Sequence, residues 1–174
     1  MDLVTWLRAQ LDQDEQWARA ACQAYPYAAD RTLPDGGVHW RWVGGEQWET
    51  VVPDPVGTEF VDEECGSVHL ATVEEWLTGG HAMPRTYDGG IQELDPSAAG
   101  HIIRWDPARV LAEVEAKRAI LNEYVLAAAD LSPFDEMASG RERAVRAVLR
   151  LLALPYSDRP DYEEALRADN ADDD

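Results

Sequence analysis

From Asp106 onward the chain carries a stretch that reads as a helix at every level. The pair Asp106-Pro107 puts a hydrogen-bond acceptor at the cap and a residue of fixed φ at the first helical position. Behind it Val110, Leu111, Val114, Arg118, Leu121 and Val125 recur at spacings that trace one helical face. Glu113 and Lys117 follow in the order that favours an ion pair one turn apart. Ser132-Pro133 breaks this helix. A second runs from Asp135 or Ser139 to Leu154, with Val145, Val148, Leu149 and Leu152 as its stripe, and Pro155-Tyr156 ends it. The two helices are expected to form a hairpin that is the firmest part of the fold.

The N-terminal residues 2–24 show the same periodicity. Leu3, Leu7, Leu11, Ala18, Ala21 and Cys22 form a stripe flanked by Trp6 and Trp17, and Asp2 suits the positive end of the helix dipole. Tyr25-Pro26-Tyr27 stops it. From Asp30 to Asp95 the period changes to that of strands and turns. Val38 to Val43 lies between the glycine pairs Gly36-Gly37 and Gly44-Gly45, which suits a hairpin with a partner strand from Gln47 to Val52. Thr58–Val61 and Ser67–Trp76 are further strands, and Asp88-Gly89-Gly90 is a second hairpin turn. No crossover helix separates these strands, so an antiparallel meander is expected. Asp95-Pro96 then opens a short helix carrying Ile102 and Ile103. The fold class is α+β: an N-terminal helix, a central antiparallel β-meander, and two to three C-terminal helices packed on the sheet. One domain over residues 1–156 and a frayed, polar, acidic tail over 157–174 complete the reading.

Two segments, taken with Leu3 to Asp14, resemble a known family. One runs from His101 through Asp106-Pro107-Ala108-Arg109-Val110 to Arg118, and the other from Leu149 through Leu154-Pro155-Tyr156-Ser157-Asp158-Arg159-Pro160-Asp161-Tyr162. They are similar to a domain of unknown function found in short acidic proteins of actinobacteria and their phages. The resemblance covers both ends of the chain and implies an actinobacterial or phage origin. It brings no activity with it. Members with a cysteine-rich insert between the two segments differ from this chain, where Tyr124 to Arg146 has no cysteine.

Charge restricts the partners. The 174 residues carry 34 acidic and 15 basic side chains, a net charge of −19. Such a field repels phosphate backbones and anionic membranes and draws in basic proteins or cationic ligands; solubility alone is the plainer account. The N-terminus lacks the apolar core of a signal peptide, no stretch is long and apolar enough for a membrane span, and the two cysteines, Cys22 and Cys65, are too few for a disulfide scaffold. A cytoplasmic protein with reduced thiols is expected.

Several residues have the chemistry for a site. Asp62-Glu63-Glu64 and Glu74-Glu75 offer carboxylates to a partner, or paired carboxylates for acid–base work or a hard cation; solvated turns are the plainer reading. Trp40 and Trp42 point to one face of their strand, where Trp48 can meet them across the hairpin; they read as an aromatic binding patch or as the core between sheet and helices. Cys65 and His69 project to the same side of a strand, and His81, or another histidine, would complete a zinc site, although the spacing matches no strong motif. Arg141, Arg143, Arg146 and Arg150 form a basic stripe that pairs internally with acidic neighbours or docks an anionic partner. Neither a nucleophile elbow nor a phosphate-cradling loop occurs, and no cofactor is implied. The leading expectation is a non-catalytic acidic protein, a phage or prophage accessory factor that binds a basic protein as a nucleic-acid mimic or immunity-type inhibitor does. The alternatives are a small zinc-binding module or metal-dependent enzyme using Cys65, His69 and a further histidine, and a homo-oligomer that buries part of its tryptophan face.

Overall fold

A computed structural model describes residues 1–22, 38–44, 49–51, 69–73, 96–130 and 135–171. Its elements run α1 (Leu3–Ala21), β1 (Trp40–Gly44), β2 (Glu49–Val51), β3 (His69–Thr72), α2 (Pro96–Arg104), α3 (Pro107–Ala129), α4 (Glu136–Ala153), a 3-10 turn (Leu154–Tyr156) and α5 (Tyr162–Ala171). The α+β class is as expected, with helix predominating. Contacts divide the chain into two compact units, Gln16–Leu111 and Met1–Glu15 with Ala112–Asp174.

The first unit holds the sheet. β1 pairs antiparallel with both other strands, with Trp42 opposite Val51 on one side and Leu70 on the other. The order is therefore β2-β1-β3. A meander would have set β3 beside β2; instead it returns to the far edge of β1. Physically, the last three residues of β1 are enclosed, and pairing on both edges gives Trp42 and Val43 strand partners on either side. Trp42, Leu70 and Ala99 form the core of this unit, with Trp40, Val51, Ile102 and Ile103 packed against them. α2 is thus the helix that lies on the sheet. The start of α3 is fastened beside it. Asp106 Oδ1 accepts from Arg109 N at 2.9 Å, as an N-cap should, and its Oδ2 accepts from Trp40 N at 3.3 Å. Ala108 N donates to Val38 O at 3.0 Å.

The second unit is helical, and its C-terminal elements pack back on α1. Leu3, Trp6, Leu7 and Leu11 of α1 are buried, as are Val114, Leu121 and Ala127 of α3 and Leu149 and Ala153 of α4. Val125, the last member of the expected α3 stripe, is exposed. Both α1 and α4 begin on aspartate caps: Asp2 accepts from Thr5 N at 2.9 Å, and Asp135 accepts from Met137 N and Ala138 N at 3.0 and 3.1 Å. The Thr5 amide holds the Asp2 carboxyl below its usual range.

Residues 157–174 were expected to fray. They contain α5 instead, with Tyr162 and Ala165 buried. The Trp6 indole donates to Pro160 O at 2.9 Å and its ring meets Tyr162 at 5.6 Å between centroids. Asp161, at a φ of 63°, makes the left-handed turn into the helix that aspartate tolerates better than most residues. A large aromatic residue on α1, far away in sequence, supplies the apolar surface that α5 lacks on its own.

Candidate functional site

The residues expected to carry function divide by where they fall. Asp62, Glu63, Glu64, Glu74, Glu75, Cys65 and His81 lie outside the described residues, as do Trp48, the strand expected over Thr58–Val61 and the turn Asp88-Gly89-Gly90. His69 is the first residue of β3. Among the described residues no group of three or more histidine, cysteine or acidic side chains is arranged to hold a metal ion.

Trp40 and Trp42 do share a face, as their spacing on a strand requires. Trp42 is buried to 2% exposure, and its indole donates to Ala99 O at 3.0 Å, so its polar atom is satisfied within the sheet–α2 core. Trp40 is half-buried against the same cluster, and its indole nitrogen is shielded, with no hydrogen-bond partner among the described residues. Near the junction of α2 and α3, exposed Trp105 carries the Arg109 guanidinium 4.1 Å above its ring, with His101 at 6.0 Å on centroids.

In the helical unit the polar side chains converge on two clusters. The first surrounds Tyr156, at the end of the 3-10 turn. Its hydroxyl donates to Asp14 at 2.6 Å and receives Lys117 Nζ at 3.4 Å. Its ring packs edge-on to Trp6 at 6.3 Å and lies 5.5 Å from the Lys117 ammonium. Burial, and then the bond to the Asp14 carboxylate, push the Tyr156 hydroxyl well above its usual range. This rules out an easily ionised phenol and makes Tyr156 a fixed donor that joins the 3-10 turn to α1. Beside it Arg118 donates to both Asp12 and Glu15 at 2.5 Å. The arginine inside the expected apolar stripe of α3 is thereby explained: it reaches two carboxylates on α1. These hydrogen bonds, Glu15 first, raise its already high pKa further.

The second cluster is largely buried. Arg146 Nε donates to Glu142 at 2.7 Å, and its guanidinium also reaches Asp169 O at 3.4 Å. Arg150 Nε donates to the Asp169 carboxylate at 2.6 Å. Tyr124 of α3 lies 5.9 Å from the Arg146 guanidinium, and burial raises its hydroxyl above the ordinary range. Arg141 pairs with Glu123 at 2.9 Å and Arg143 donates to Ser139 O at 3.3 Å. The arginine stripe is thus engaged internally. Glu142 and Asp169 had drawn no notice in the sequence because nothing local marks a carboxylate as buried; the signal is a partner arginine one turn along or on another helix.

These arrangements fasten helices together. They define a small α+β protein: a three-stranded sheet covered by a helix, and helices held on an N-terminal helix by aromatic and ionic contacts. The chain belongs to a family of unknown function, DUF6221, whose model matches residues 1–168. No curated protein and no solved structure matches it.

Proposed function

We propose that this chain is a non-catalytic interaction protein that meets a basic protein partner through its acidic residues, in the manner of a nucleic-acid mimic or an immunity-type inhibitor. The observation that carries this reading is where the surplus charge lies. Between residues 45 and 95, twelve acidic residues stand against one basic residue, Arg85. That stretch includes Asp62, Glu63, Glu64, Glu74 and Glu75. In the helical unit, by contrast, Asp12, Asp14, Glu15, Glu123, Glu142 and Asp169 already bond to arginine or tyrosine. These six carboxylates are engaged within the fold, and the middle stretch, with a single cation, is the part of the sequence densest in uncompensated negative charge, which supports it as the source of attraction for a cationic surface. The resemblance to actinobacterial and actinophage chains supports a phage or prophage accessory role in the cytoplasm.

The test is capture from an actinobacterial lysate, followed by titration of the purified partner. Asp62→Asn, Glu63→Gln, Glu64→Gln, Glu74→Gln and Glu75→Gln are combined in one variant. A basic partner is expected, whose affinity falls roughly tenfold or more between about 50 and about 300 mM salt and again in the variant. A partner that is not basic, or an affinity indifferent to both changes, overturns the reading.

A further inference from the structure

Helix α5 is held by few apolar side chains and begins at a sharp hinge. Of its ten residues Tyr162, Ala165 and Asp169 are buried. The chain just before it is anchored on α1: Arg159 donates to the Gln13 side chain, and Pro160 O accepts from the Trp6 indole. The next residue, Asp161, has a φ of 63°, the only positive value at a non-glycine position among the described residues. This left-handed turn separates the anchored stretch from the helix. Beyond it the attachment is largely ionic. The Asp169 carboxylate accepts from Arg150 Nε at 2.6 Å, and Arg146 reaches the Asp169 backbone oxygen at 3.4 Å. Glu164 meets the N-terminal amine at 3.2 Å, an exposed pair that contributes little.

Like charge opposes these contacts. Residues 161–174 carry seven acidic side chains and one arginine. The rest of the same unit, residues 1–15 and 112–160, carries twelve acidic and eight basic side chains, so both parts are negative. The last turn of α5 has no basic residue, and Asp172-Asp173-Asp174 follows it directly in the sequence. Negative charge therefore sits next to the negative end of the helix dipole, where it disfavours the helix.

We propose that α5 is a latch: it swings open as a unit about Asp161 while the rest of its unit stays folded, and added salt closes it. The sign follows from where the charges lie. Repulsion between exposed carboxylates is long-range, and the distance over which it acts falls from about 30 Å at about 0.01 M salt to about 6 Å at about 0.3 M. The Arg150–Asp169 pair is in contact, with the Asp169 side chain only 9% exposed, and is screened far less. Raising the salt removes the force that opens α5 and leaves most of what holds it. Opening uncovers one side of Trp6 and the guanidinium groups of Arg146 and Arg150, the part of the α4 arginine stripe that Asp169 occupies. Access to a cationic surface in an otherwise acidic chain is thus set by ionic strength.

Amide hydrogen exchange of the full chain, resolved residue by residue with NMR, tests the latch. The amides from Ala165 to Asn170 are expected to share one level of protection, at least about tenfold below that of the buried part of α1. Between about 0.01 and about 0.3 M sodium chloride their exchange is expected to slow at least about threefold, with the amides of α1 and α4 as the reference for salt effects on the exchange chemistry. Asp172→Asn, Asp173→Asn and Asp174→Asn combined, which remove charge and none of the contacts above, are expected to slow α5 exchange at low salt and to shrink the salt response. Asp169→Asn is expected to speed it at every salt concentration. A protection that climbs steadily from Asn170 back to Ala165 is fraying from the end and overturns the proposal. So does exchange in step with α1, exchange that salt leaves unchanged or speeds, or a triple variant that behaves as the parent. Every readout is made without a partner, so failure here and failure of basic-protein binding are separate results.

Discussion

The hydroxyl of Tyr156 donates to the carboxylate of Asp14 at 2.6 Å, joining positions 142 residues apart in the chain. The tyrosine is buried and the aspartate half-buried, with the Lys117 ammonium on the far side of the hydroxyl. Three elements, α1, α3 and the 3-10 turn after α4, therefore meet at one oxygen atom. A bond of this kind contributes little to local structure and much to deciding which segments lie together, because each partner loses its water whether or not the other is in place.

Replacing Tyr156 with phenylalanine keeps the ring on Trp6 and removes the donor. Asp14 and Lys117 each lose a hydrogen-bond partner. The expected loss is about 1–2 kcal/mol, read as a lower urea midpoint with an unchanged slope. Asp14→Asn, which keeps an acceptor, is expected to cost less than Tyr156→Phe.

The same tyrosine gives the fold a limit at high pH. Its pKa is raised in the folded chain above the ordinary 10.0, so the native state holds a proton that the unfolded chain releases. The stabilisation is complete below about pH 10 and declines as pH rises toward the folded value. Tyr124, also raised, adds to the decline with the same sign. Urea midpoints between about pH 8 and about pH 11 should fall in the parent chain and fall less steeply in Tyr156→Phe.

Arg146 neutralises Glu142, a carboxylate with 5% exposure, across one turn of α4. Arg146→Ala leaves that charge buried and uncompensated, and the expected cost is about 3–5 kcal/mol. Replacing both, as Arg146→Met with Glu142→Leu, is expected to recover most of it, because the pair itself brings little net stability once its desolvation is counted. A double-mutant cycle in urea, with Arg146→Met and Glu142→Leu made singly and together, measures the difference; a double loss equal to the sum of the two single losses would show that the pair is not coupled.

Much of the backbone was legible in advance where a local rule and a long pattern agreed. Asp106-Pro107 starts α3 with the cap and proline that the sequence displays, and Leu3, Leu7 and Leu11 face inward as their spacing requires. The shared face of Trp40 and Trp42 followed from strand alternation. Illegible were features decided by distant partners. The pairing of β3 with β1 rather than β2 brings Leu70 beside Trp42 in the core of that unit, a contact between positions that no local pattern links. Along α4, apolar residues occur on nearly every side, so periodicity could not show that Leu149 faces in while Leu151 faces out, nor that Glu142 would be enclosed. The acidic positions on which the proposed function rests, Asp62 to Glu64 and Glu74-Glu75, are evident from composition, which carries no information on geometry.

The segment after Tyr156 supplies the most direct test of a long-range contact that sequence patterns hide. Its composition is that of a solvated tail, yet Tyr162 and Ala165 are buried, Trp6 is tied to Pro160, and the Asp169 carboxylate sits 2.6 Å from Arg150 Nε. A chain ending at Asp161 would expose one side of Trp6 and leave Arg150 without that carboxylate. A frayed tail would predict no loss on this truncation, or a slight gain from the acidic charge removed. The structure leads to the reverse: a loss of at least about 2 kcal/mol, since uncovering the aromatic core and taking the Asp169 carboxylate away from Arg150 each cost on the order of 1–3 kcal/mol. Tyr162→Ala in the full chain should reproduce most of the apolar share, about 2–4 kcal/mol, and Asp169→Asn the smaller ionic share. Urea unfolding of the three variants, followed through the red shift of tryptophan emission, separates the two contributions. If truncation leaves the midpoint where it was, α5 does not support the Trp6 core.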